Sequence, residues 1–323
     1  MIKEIVNFIE NNKRFLLISH LNPDGDSLGS LLAFAEALRL RGKSATIYSN
    51  DKIPDNYAFL TAGEEFLHEL PDIAAFDAVV ILDCGDIERV GNEHNTIATA
   101  RTLINIDHHE SNKGFCSLTL CNPQASSTAE IVLQVLSALN VAITERIANC
   151  IYAAILTDTG GFCYSSVSQE TLFAAGRMVA AGAKPQWLSE NIYENNPIAR
   201  IRLLAAGLNS LSFNAAGNIA YLVIRQQDLQ KSGALLEHTE GMVDLPRGVA
   251  GVKIAILFTE IAENYYKVSL RSKEEVDVAS VAGFFGGGGH INAAGCRVKE
   301  KIETLAPRLL LAAQQALSNL DTE

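Results

Sequence analysis

The sequence predicts an α/β protein: an N-terminal domain with a mostly parallel sheet and helices on both faces, followed by a smaller α+β C-terminal domain. The first half alternates short apolar runs with helical patterns, an order typical of βαβ units. A wholly helical stretch then precedes a predicted hairpin, a further strand and a closing helix. With 323 residues, 48% of them hydrophobic, the chain is long enough to bury two cores.

Four buried strands are predicted in the first half, because four apolar or β-branched runs each end in a polar loop: 15–19, 45–48, 78–82 and 102–106. The spacing of apolar residues predicts helices over 27–40, 127–139 and 145–156, and Gly42 is a stop signal for the first of them. This alternation of strands and helices favours a mostly parallel sheet.

The second half turns helical over 169–211 and then changes character. A strand is predicted at 219–224, a hairpin at 252–260 and 265–271 with Glu263 and Asn264 at its turn, a strand at 294–298 and a helix at 302–317. We therefore predict a first domain over residues 1–186, a helical linker over 187–212 and a second domain over 213–323.

The formal net charge of −11 argues against binding of long duplex nucleic acid, because proteins that bind it usually carry a basic surface. A small anion can still bind where cations, including metal ions, collect at one site. The six cysteines form no CxxC pair and are predicted to be reduced thiols. No signal peptide and no apolar run of about 20 residues is visible, so we predict a cytoplasmic protein without a membrane partner.

Aspartate and histidine residues gather in four short segments, three of which follow predicted strands: His20 to Asp26, Asp83, Asp107-His108-His109, and Asp158. The carboxyl ends of parallel strands meet at one edge of a sheet, so these segments are expected to converge. Carboxylates and imidazoles together suit a divalent ion such as Mn²⁺, and clustered carboxylates repel one another unless cations neutralise them. A single aspartate could instead cap a helix, as Asp26 or Asp158 could here, but the set favours a metal site.

A glycine run, Gly286 to Gly289, is followed by His290. Four glycines cost conformational entropy on ordering, which favours a role in which backbone N–H groups approach an anion closely. The alternative is a flexible loop. Arg271 and Ser272 close the predicted hairpin, where the guanidinium offers a fork for phosphate, although Arg271 taken alone would more often be a surface cation.

The chain resembles the DHH phosphoesterase superfamily, in the branch with a C-terminal DHHA1 domain that includes the nanoRNase/pAp phosphatases. The resemblance covers nearly the whole chain and rests on an ordered set: His20, Asp24, Asp26, Asp83, Asp107-His108-His109, Asp158, Arg271-Ser272 and Gly286 to His290. It implies a site for two Mn²⁺ ions, with Mg²⁺ and Co²⁺ as alternatives. The implied ligands are His20, Asp24 and Asp83 for one ion, and Asp26, Asp83, His108 and Asp158 for the other.

The resemblance also implies roles outside the metal ligands. Asp107 would orient a histidine, and His109 would contact the scissile phosphate or assist the leaving group. The residues that would hold the substrate are Arg271, Ser272, Gly287, Gly288, Gly289 and His290. Asn112 and residues 126–128 would lie near the active edge.

The implied reaction is hydrolysis, by a two-metal-activated hydroxide, of short oligoribonucleotides to mononucleotides, of 3′-phosphoadenosine 5′-phosphate (pAp) to AMP, or of both. Short oligoribonucleotides or small nucleotides are the expected partners, and family members are often homodimers. Two alternatives stay open: a soluble phosphodiesterase for cyclic di-AMP or pApA, and a nucleotide-binding regulatory module without turnover. A DHH pyrophosphatase is less favoured because its second domain lacks the glycine–His motif. A single-strand exonuclease is less favoured because no additional nucleic-acid-binding segment is visible.

Overall fold

A parallel six-stranded sheet forms the centre of the first unit of the structure, a computed structural model that describes residues 1–273 and 276–320. The chain divides into two units, Met1–Asn195 and Asn196–Glu323. The predicted helical segment 187–212 contributes residues to both units, and the predicted functional division at residues 186 and 212 stays a prediction.

The strands of the first unit are β1 Arg14–Ile18, β2 Ser44–Tyr48, β3 Phe66–Leu67, β4 Ala78–Leu82, β5 Leu103–Asp107 and β6 Leu118–Cys121. Their order in the sheet is β3-β2-β1-β4-β5-β6, and every neighbouring pair is parallel. The four strands that the sequence predicts are β1, β2, β4 and β5. The two edge strands were not predicted, because β3 has only two residues and β6 is half-buried along its whole length.

The helices of the first unit are α1 Ile2–Asn11, α2 Gly25–Leu40, α3 His94–Ile97, α4 Thr128–Ala138, α5 Glu145–Asp158, α6 Gln169–Ala180 and α7 Pro185–Ser189. Both faces of the sheet are buried. Phe15 and Leu17 of β1 pack with residues of α1, α2, α4 and α5, whereas Leu16 and Ile18 pack on the opposite face with Val90 and with Ile97 of α3. The central strands are therefore continuous apolar runs, as expected of a covered parallel sheet.

Helices α2 and α5 approach each other closely because α2 contains two glycines at the contact. A Cβ on Gly25 would lie 2.3 Å from Thr157 Oγ1, and a Cβ on Gly29 would lie 2.4 Å from the carbonyl oxygen of Cys150. The amino end of α2 thus lies beside the carboxyl end of α5. This contact brings the aspartates at the start of α2 close to Asp158, the last residue of α5.

The second unit contains a mixed sheet of β7 Ser212–Phe213, β8 Ile219–Ile224, β9 Ile254–Ala262, β10 Tyr265–Ser272, β11 Gly288–His290 and β12 Ala293–Lys299. The order is β11-β12-β10-β9-β8-β7, with β8 and β9 parallel and the other pairs antiparallel. The predicted hairpin is β9–β10. The α/β first part and the mixed second part confirm the predicted fold class.

The helices of the second unit are α8 Ile198–Asn209, α9 Gln226–Ser232, α10 Asp244–Arg247, α11 Val278–Gly283 and α12 Ile302–Leu320. Residues of α11 and α12 pack on one face of the sheet, against Ile256 of β9 and Leu270 of β10. On the other face, Leu203 of α8 and Met242 pack against Leu257 of β9. Across the described residues of the whole chain, no helix has the length and apolar composition required to span a membrane.

Candidate active site

The carboxyl ends of β1, β4 and β5 lie at one edge of the parallel sheet, and the loops that follow them carry the predicted ligands. His20 comes two residues after β1, Asp83 directly follows β4, and Asp107 is the last residue of β5. Asp24 and Asp26 lie at the start of α2, and Asp158 at the end of α5. The structure therefore brings all four predicted segments of the first unit together.

His20, Asp24 and Asp83 form the first group. Nε2 of His20 lies 3.7 Å from Oδ2 of Asp24 and 3.5 Å from Oδ2 of Asp83. The other ring nitrogen, Nδ1, lies 2.7 Å from the carbonyl oxygen of Leu21, which orients the ring. One potential ligand atom from each residue of the group lies within 4.8 Å of the others.

The second group contains His108, Asp26, Asp158 and the other oxygen of Asp83. Nε2 of His108 lies 3.9 Å from Oδ2 of Asp26, 3.7 Å from Oδ1 of Asp83 and 3.4 Å from Oδ2 of Asp158. Its Nδ1 lies 3.3 Å from the carbonyl oxygen of Ala125. Asp83 thus presents Oδ2 to the first group and Oδ1 to the second, as a bridging carboxylate would.

These spacings fit divalent cations. Ligand atoms that lie about 2.1 Å from one ion are about 3 to 4 Å apart, which is the range seen in both groups. Burial and the charges of Asp83 and Asp158 raise the pKa of Asp26 well above its ordinary value. Burial likewise raises the pKa of Asp158 to about 7. Cations placed among these carboxylates would remove the repulsion that raises both pKa values.

The ring of His20 gives a second indication of a cation. Burial alone would lower the pKa of His20, but the hydrogen bonds and charges of Asp24 and Asp83 raise it to about 10. In the absence of metal, this raised pKa favours the protonated form of the His20 ring. A divalent ion bound there would displace this proton, as is usual for histidine ligands.

Asp26 and Asp83 are held in place by residues at the start of α4. The backbone N–H of Thr128 donates to Oδ2 of Asp26 over 2.6 Å, and that of Ala129 donates to Oδ1 over 3.1 Å. The hydroxyl of Thr128 donates to Oδ1 of Asp83 over 3.0 Å. Asp83 itself has a φ of +56°, a conformation that non-glycine residues adopt at a cost and that is enriched at functional sites.

Asp107 and His109 form a separate hydrogen-bonded pair beside these groups. Nδ1 of His109 donates to Oδ1 of Asp107 over 2.6 Å. Burial alone would lower the pKa of His109, but the bond to Asp107 and the charge of Asp83 raise it. The amide of Asn112 donates to the other oxygen of Asp107 over 2.6 Å, so Asp107 is held from both sides.

Helix capping and ligand placement coexist in this site. Asp24 is the N-cap of α2 and forms a capping box with Ser27, while Asp26 accepts hydrogen bonds from backbone N–H groups in the first turn of α4. The side chain of Asp24 is nevertheless half exposed and lies within reach of His20. The capping interpretation and the metal interpretation of these aspartates are therefore compatible.

Two residues that support the site were not singled out from the sequence. Asn105 is fully buried within β5, donates to the carbonyl oxygens of Ile81 and Cys84, and accepts a hydrogen bond from Asn112. Ser30 donates to Oδ1 of Asp26 over 3.0 Å. An amide inside the apolar run of β5 was the available signal for Asn105, because a buried polar group requires partners.

The predicted substrate-binding residues lie in the second unit. Arg271 is half-buried in β10, and the buried hydroxyl of Ser272 donates to the carbonyl oxygen of Val276 over 2.6 Å. Gly288 and Gly289 belong to β11, which pairs with β12. The side chain of His290 lies outside the described part of the structure, so its predicted role has no structural counterpart here.

The glycines of this run differ in what requires them. A Cβ on Gly287 would lie 2.1 Å from the carbonyl oxygen of Gly295, and one on Gly289 would lie 2.5 Å from that of Ala293. Close packing on β12 therefore requires these two glycines. A Cβ on Gly288 would meet nothing within 4 Å, so the space beside this exposed residue is open.

Two family models match the chain: the DHH family, N-terminal domain, over residues 14–155, and the DHHA1 domain, over residues 217–319. A Thermus thermophilus protein, bifunctional oligoribonuclease and PAP phosphatase NrnA, is 29% identical over 98% of this chain and 94% of its own length. A Bacillus subtilis protein of the same name is 24% identical over 91% and 92%. The crystal structure of an exopolyphosphatase-related protein from Bacteroides fragilis matches with a TM-score of 0.90, 26% identity and coverage of 98% and 95%.

The parallel sheet with carboxylates and imidazoles at its edge, followed by the mixed-sheet unit, defines a phosphoesterase of the DHH class. The chain belongs to the DHH phosphoesterase family, in the branch that carries a DHHA1 domain.

Proposed function

We propose that this phosphoesterase uses two Mn²⁺ ions to hydrolyse short oligoribonucleotides to mononucleotides, pAp to AMP, or both. The single observation that carries the proposal is the placement of Asp83, whose two oxygens face two separate groups of carboxylate and imidazole ligands. The names of the Thermus thermophilus and Bacillus subtilis relatives supply the substrate class.

The proposed ligands are His20, Asp24 and Asp83 for one ion, and Asp26, Asp83, His108 and Asp158 for the other. Bound Mn²⁺ would supply the nucleophile for hydrolysis and would neutralise charge on the phosphoryl oxygens. Residues of the chain fix these ligands in advance: the start of α4 holds Asp26 and Asp83, and backbone carbonyl groups orient the two imidazoles. Such preorganisation supports metal affinity and rate.

His109 is the proposed residue that contacts the scissile phosphate or protonates the leaving oxygen. Its hydrogen bond to Asp107 fixes Nδ1 as the donor to that carboxylate and turns Nε2 toward a different partner. The same bond favours the protonated ring, which is the form that can donate a proton. Asp107 is thus a positioning residue for His109.

The second unit is proposed to hold the substrate through Arg271, the backbone of Gly287, Gly288 and Gly289, and His290. The open space beside Gly288 supports close approach of a phosphate to the backbone. Ser272 is proposed to act indirectly, by fixing the backbone beside the substrate. Its hydroxyl donates to the carbonyl oxygen of Val276 and accepts from the amide of Asn292 over 2.9 Å.

A substrate panel in Mn²⁺ tests the proposal. The panel contains pAp, pApA, cyclic di-AMP, pyrophosphate and RNA dimers to pentamers, compared by kcat/KM, with Asp83→Ala as the inactive control. We expect the highest values for short RNA or pAp. Preference for cyclic di-AMP or pApA would replace the proposed substrate, and tight binding without turnover would identify a regulatory module.

Two further features of the cellular context belong to the proposal. We place the enzyme in the cytoplasm, which agrees with six cysteines that are all free thiols. We also propose a homodimer, to be checked by the mass of the protein in solution.

A further inference from the structure

One face of the second sheet carries a row of cations, of which the proposed function uses only Arg271. Along β10, Tyr266, Val268, Leu270 and Ser272 are buried on one face, so Lys267, Ser269 and Arg271 lie on the other. Lys267 pairs with Arg297 of β12, and Tyr265 pairs with Lys299. Residues paired across neighbouring strands share a face of the sheet, so four cations line this face. We call these four residues the basic strip: Lys267, Arg271, Arg297 and Lys299.

On this face, Leu203 of α8 and Met242 are among the described residues that cover strand β9. Ala255 and Leu257 of β9, which pair with Arg271 and Ser269, pack with Leu203 of α8 and with Met242. From β10 to β12, by contrast, Lys267, Arg297 and Lys299 are exposed. The basic strip is therefore an accessible surface beside a covered one.

No described carboxylate forms an ion pair with any cation of the basic strip, although acidic residues outnumber basic ones in the chain, 37 to 26. Lys267 and Arg297 stand directly opposite each other on neighbouring strands, an arrangement in which like charges repel. An anionic ligand would relieve this repulsion. The hydroxyl of Ser269 also makes no hydrogen bond to a described residue and offers a donor on the same face.

The dimensions of the basic strip suit a chain of phosphates rather than one phosphate. From Tyr265 to Arg271 is six residues along β10, or about 20 Å. Small residues, Ala293 and Gly295 of β12 and Gly288 of β11, lie beside the cations, so no large side chain projects from this part of the surface. Tyr265, half-buried opposite Lys299, places an aromatic ring at one end, and aromatic rings beside cations are typical of single-strand binding.

We propose that the basic strip binds the sugar-phosphate backbone of the oligoribonucleotide beyond the nucleotide that is cleaved. This inference rests on the proposed function. Its occupant is single-stranded RNA of a few nucleotides, because the row is one strand pair wide and most of the remaining surface of an acidic protein would repel a long duplex. The strip should therefore increase affinity for pentamers more than for dimers, and it should not change the binding of pAp.

The test compares wild-type protein with K267Q/R297Q/K299Q, which leaves Arg271 intact. The matched control, K3Q/R202Q/K231Q, removes the same charge from exposed cations outside the strip. Binding of a fluorescent RNA pentamer is followed by anisotropy in EDTA, between roughly 50 and 200 mM salt. Loss of three phosphate contacts should reduce the slope of log affinity against log salt by about 2, since each contact to a single strand contributes about 0.7.

Hydrolysis separates failure of this inference from failure of the proposed function. In the strip variant, kcat/KM should fall at least about 10-fold for the pentamer and stay unchanged for pAp and the dimer. An unchanged salt slope and unchanged pentamer kinetics in this variant would overturn the inference, and so would an equal loss in the control. If the wild-type protein binds the pentamer through the strip but hydrolyses no substrate, the proposed function alone fails.

Discussion

Asp107 accepts a hydrogen bond from the imidazole of His109, two residues further along the chain, over 2.6 Å. The bond ties the last residue of β5 to the loop that follows it, and it keeps the ring protonated to a higher pH than an isolated histidine. Catalysis in the proposed mechanism depends on this pair as well as on the metal ligands.

Replacement of Asp107 by asparagine should lower kcat about 100-fold, because the ring of His109 loses the carboxylate that orients it and stabilises its charge. The pKa of His109 is raised in the native protein, so the variant should lose activity at a lower pH on the alkaline side of the rate profile. The measurement is kcat against pH. Asn112→Ala removes the donor to the far oxygen of Asp107 and the hydrogen bond to Asn105, but it leaves the carboxylate beside His109, so the alkaline limb should move less than in the Asp107 variant. An unmoved alkaline limb in both variants would exclude His109 as the proton donor.

Asp158→Asn should stabilise the metal-free protein and weaken the metal-bound one. Folding raises the pKa of Asp158 to about 7 from about 3.9, so the folded state holds this proton more tightly than the unfolded state. Stability that depends on the proton is present at low pH and is lost as the pH rises through about 7. In EDTA at alkaline pH, we therefore expect a higher Tm for the variant than for the wild type.

In Mn²⁺ the order should reverse, because the wild type gains stability from binding ions that the variant binds less well. Differential scanning calorimetry in EDTA and in Mn²⁺ gives both values. Glu170→Gln, an exposed charge change in the first turn of α6, is the control and should move neither Tm. A variant whose Tm matched that of the wild type in both solutions would argue against repulsion in the carboxylate cluster.

Gly29→Ala should destabilise the protein by about 1–3 kcal/mol, because the new methyl group would lie 2.4 Å from the carbonyl oxygen of Cys150 and push α2 from α5. Since this contact also places Asp26 beside Asp158, Mn²⁺ affinity should fall with it. The control is Gly176→Ala in α6, where a Cβ meets nothing within 4 Å and where alanine should stabilise by about 0.5–1 kcal/mol. Urea unfolding and Mn²⁺ titration of both variants measure the two effects, and equal stability changes would contradict the close-packing account.

Alanine substitutions at two adjacent glycines should separate an effect on substrate binding from an effect on packing. Gly288→Ala should leave the Tm unchanged and raise KM several-fold, because the methyl group enters the open space proposed for the phosphate. Gly287→Ala should lower the Tm, since its methyl group would lie 2.1 Å from the carbonyl oxygen of Gly295. Thermal unfolding and steady-state kinetics on pAp provide the comparison. If Gly288→Ala leaves KM unchanged, the glycine run serves packing only.

Much of the fold follows from local patterns in the sequence. The strand at 219–224 corresponds to β8, and the predicted strands of the parallel sheet differ from β1, β2, β4 and β5 by one residue at most at either end. These runs are apolar on both faces, so burial and sequence pattern agree. Helix α1 was missed, although Ile5 and Ile9 are buried at helical spacing, and so were β3 and β6, whose pairing is set by tertiary contacts.

The sequence predicted which residue types form the candidate site, but it did not predict the hydrogen bonds and packing contacts that hold them in place. Strand ends and acidic motifs predicted which side chains of the first unit would meet. The hydrogen bonds from Thr128 to both Asp26 and Asp83 link residues far apart in the chain, as does the α2–α5 contact at Gly29. Contacts of this kind depend on tertiary packing, which no local pattern reports.

The most direct test of the two-ion account is the Mn²⁺ stoichiometry of wild-type protein and Asp83→Ala, measured by isothermal titration calorimetry. We predict about two ions per wild-type chain and loss of both binding events in the variant, because Asp83 Oδ1 and Oδ2 face the two ligand groups. A wild-type chain that binds no Mn²⁺, or a variant whose titration matches that of the wild type, would contradict the account.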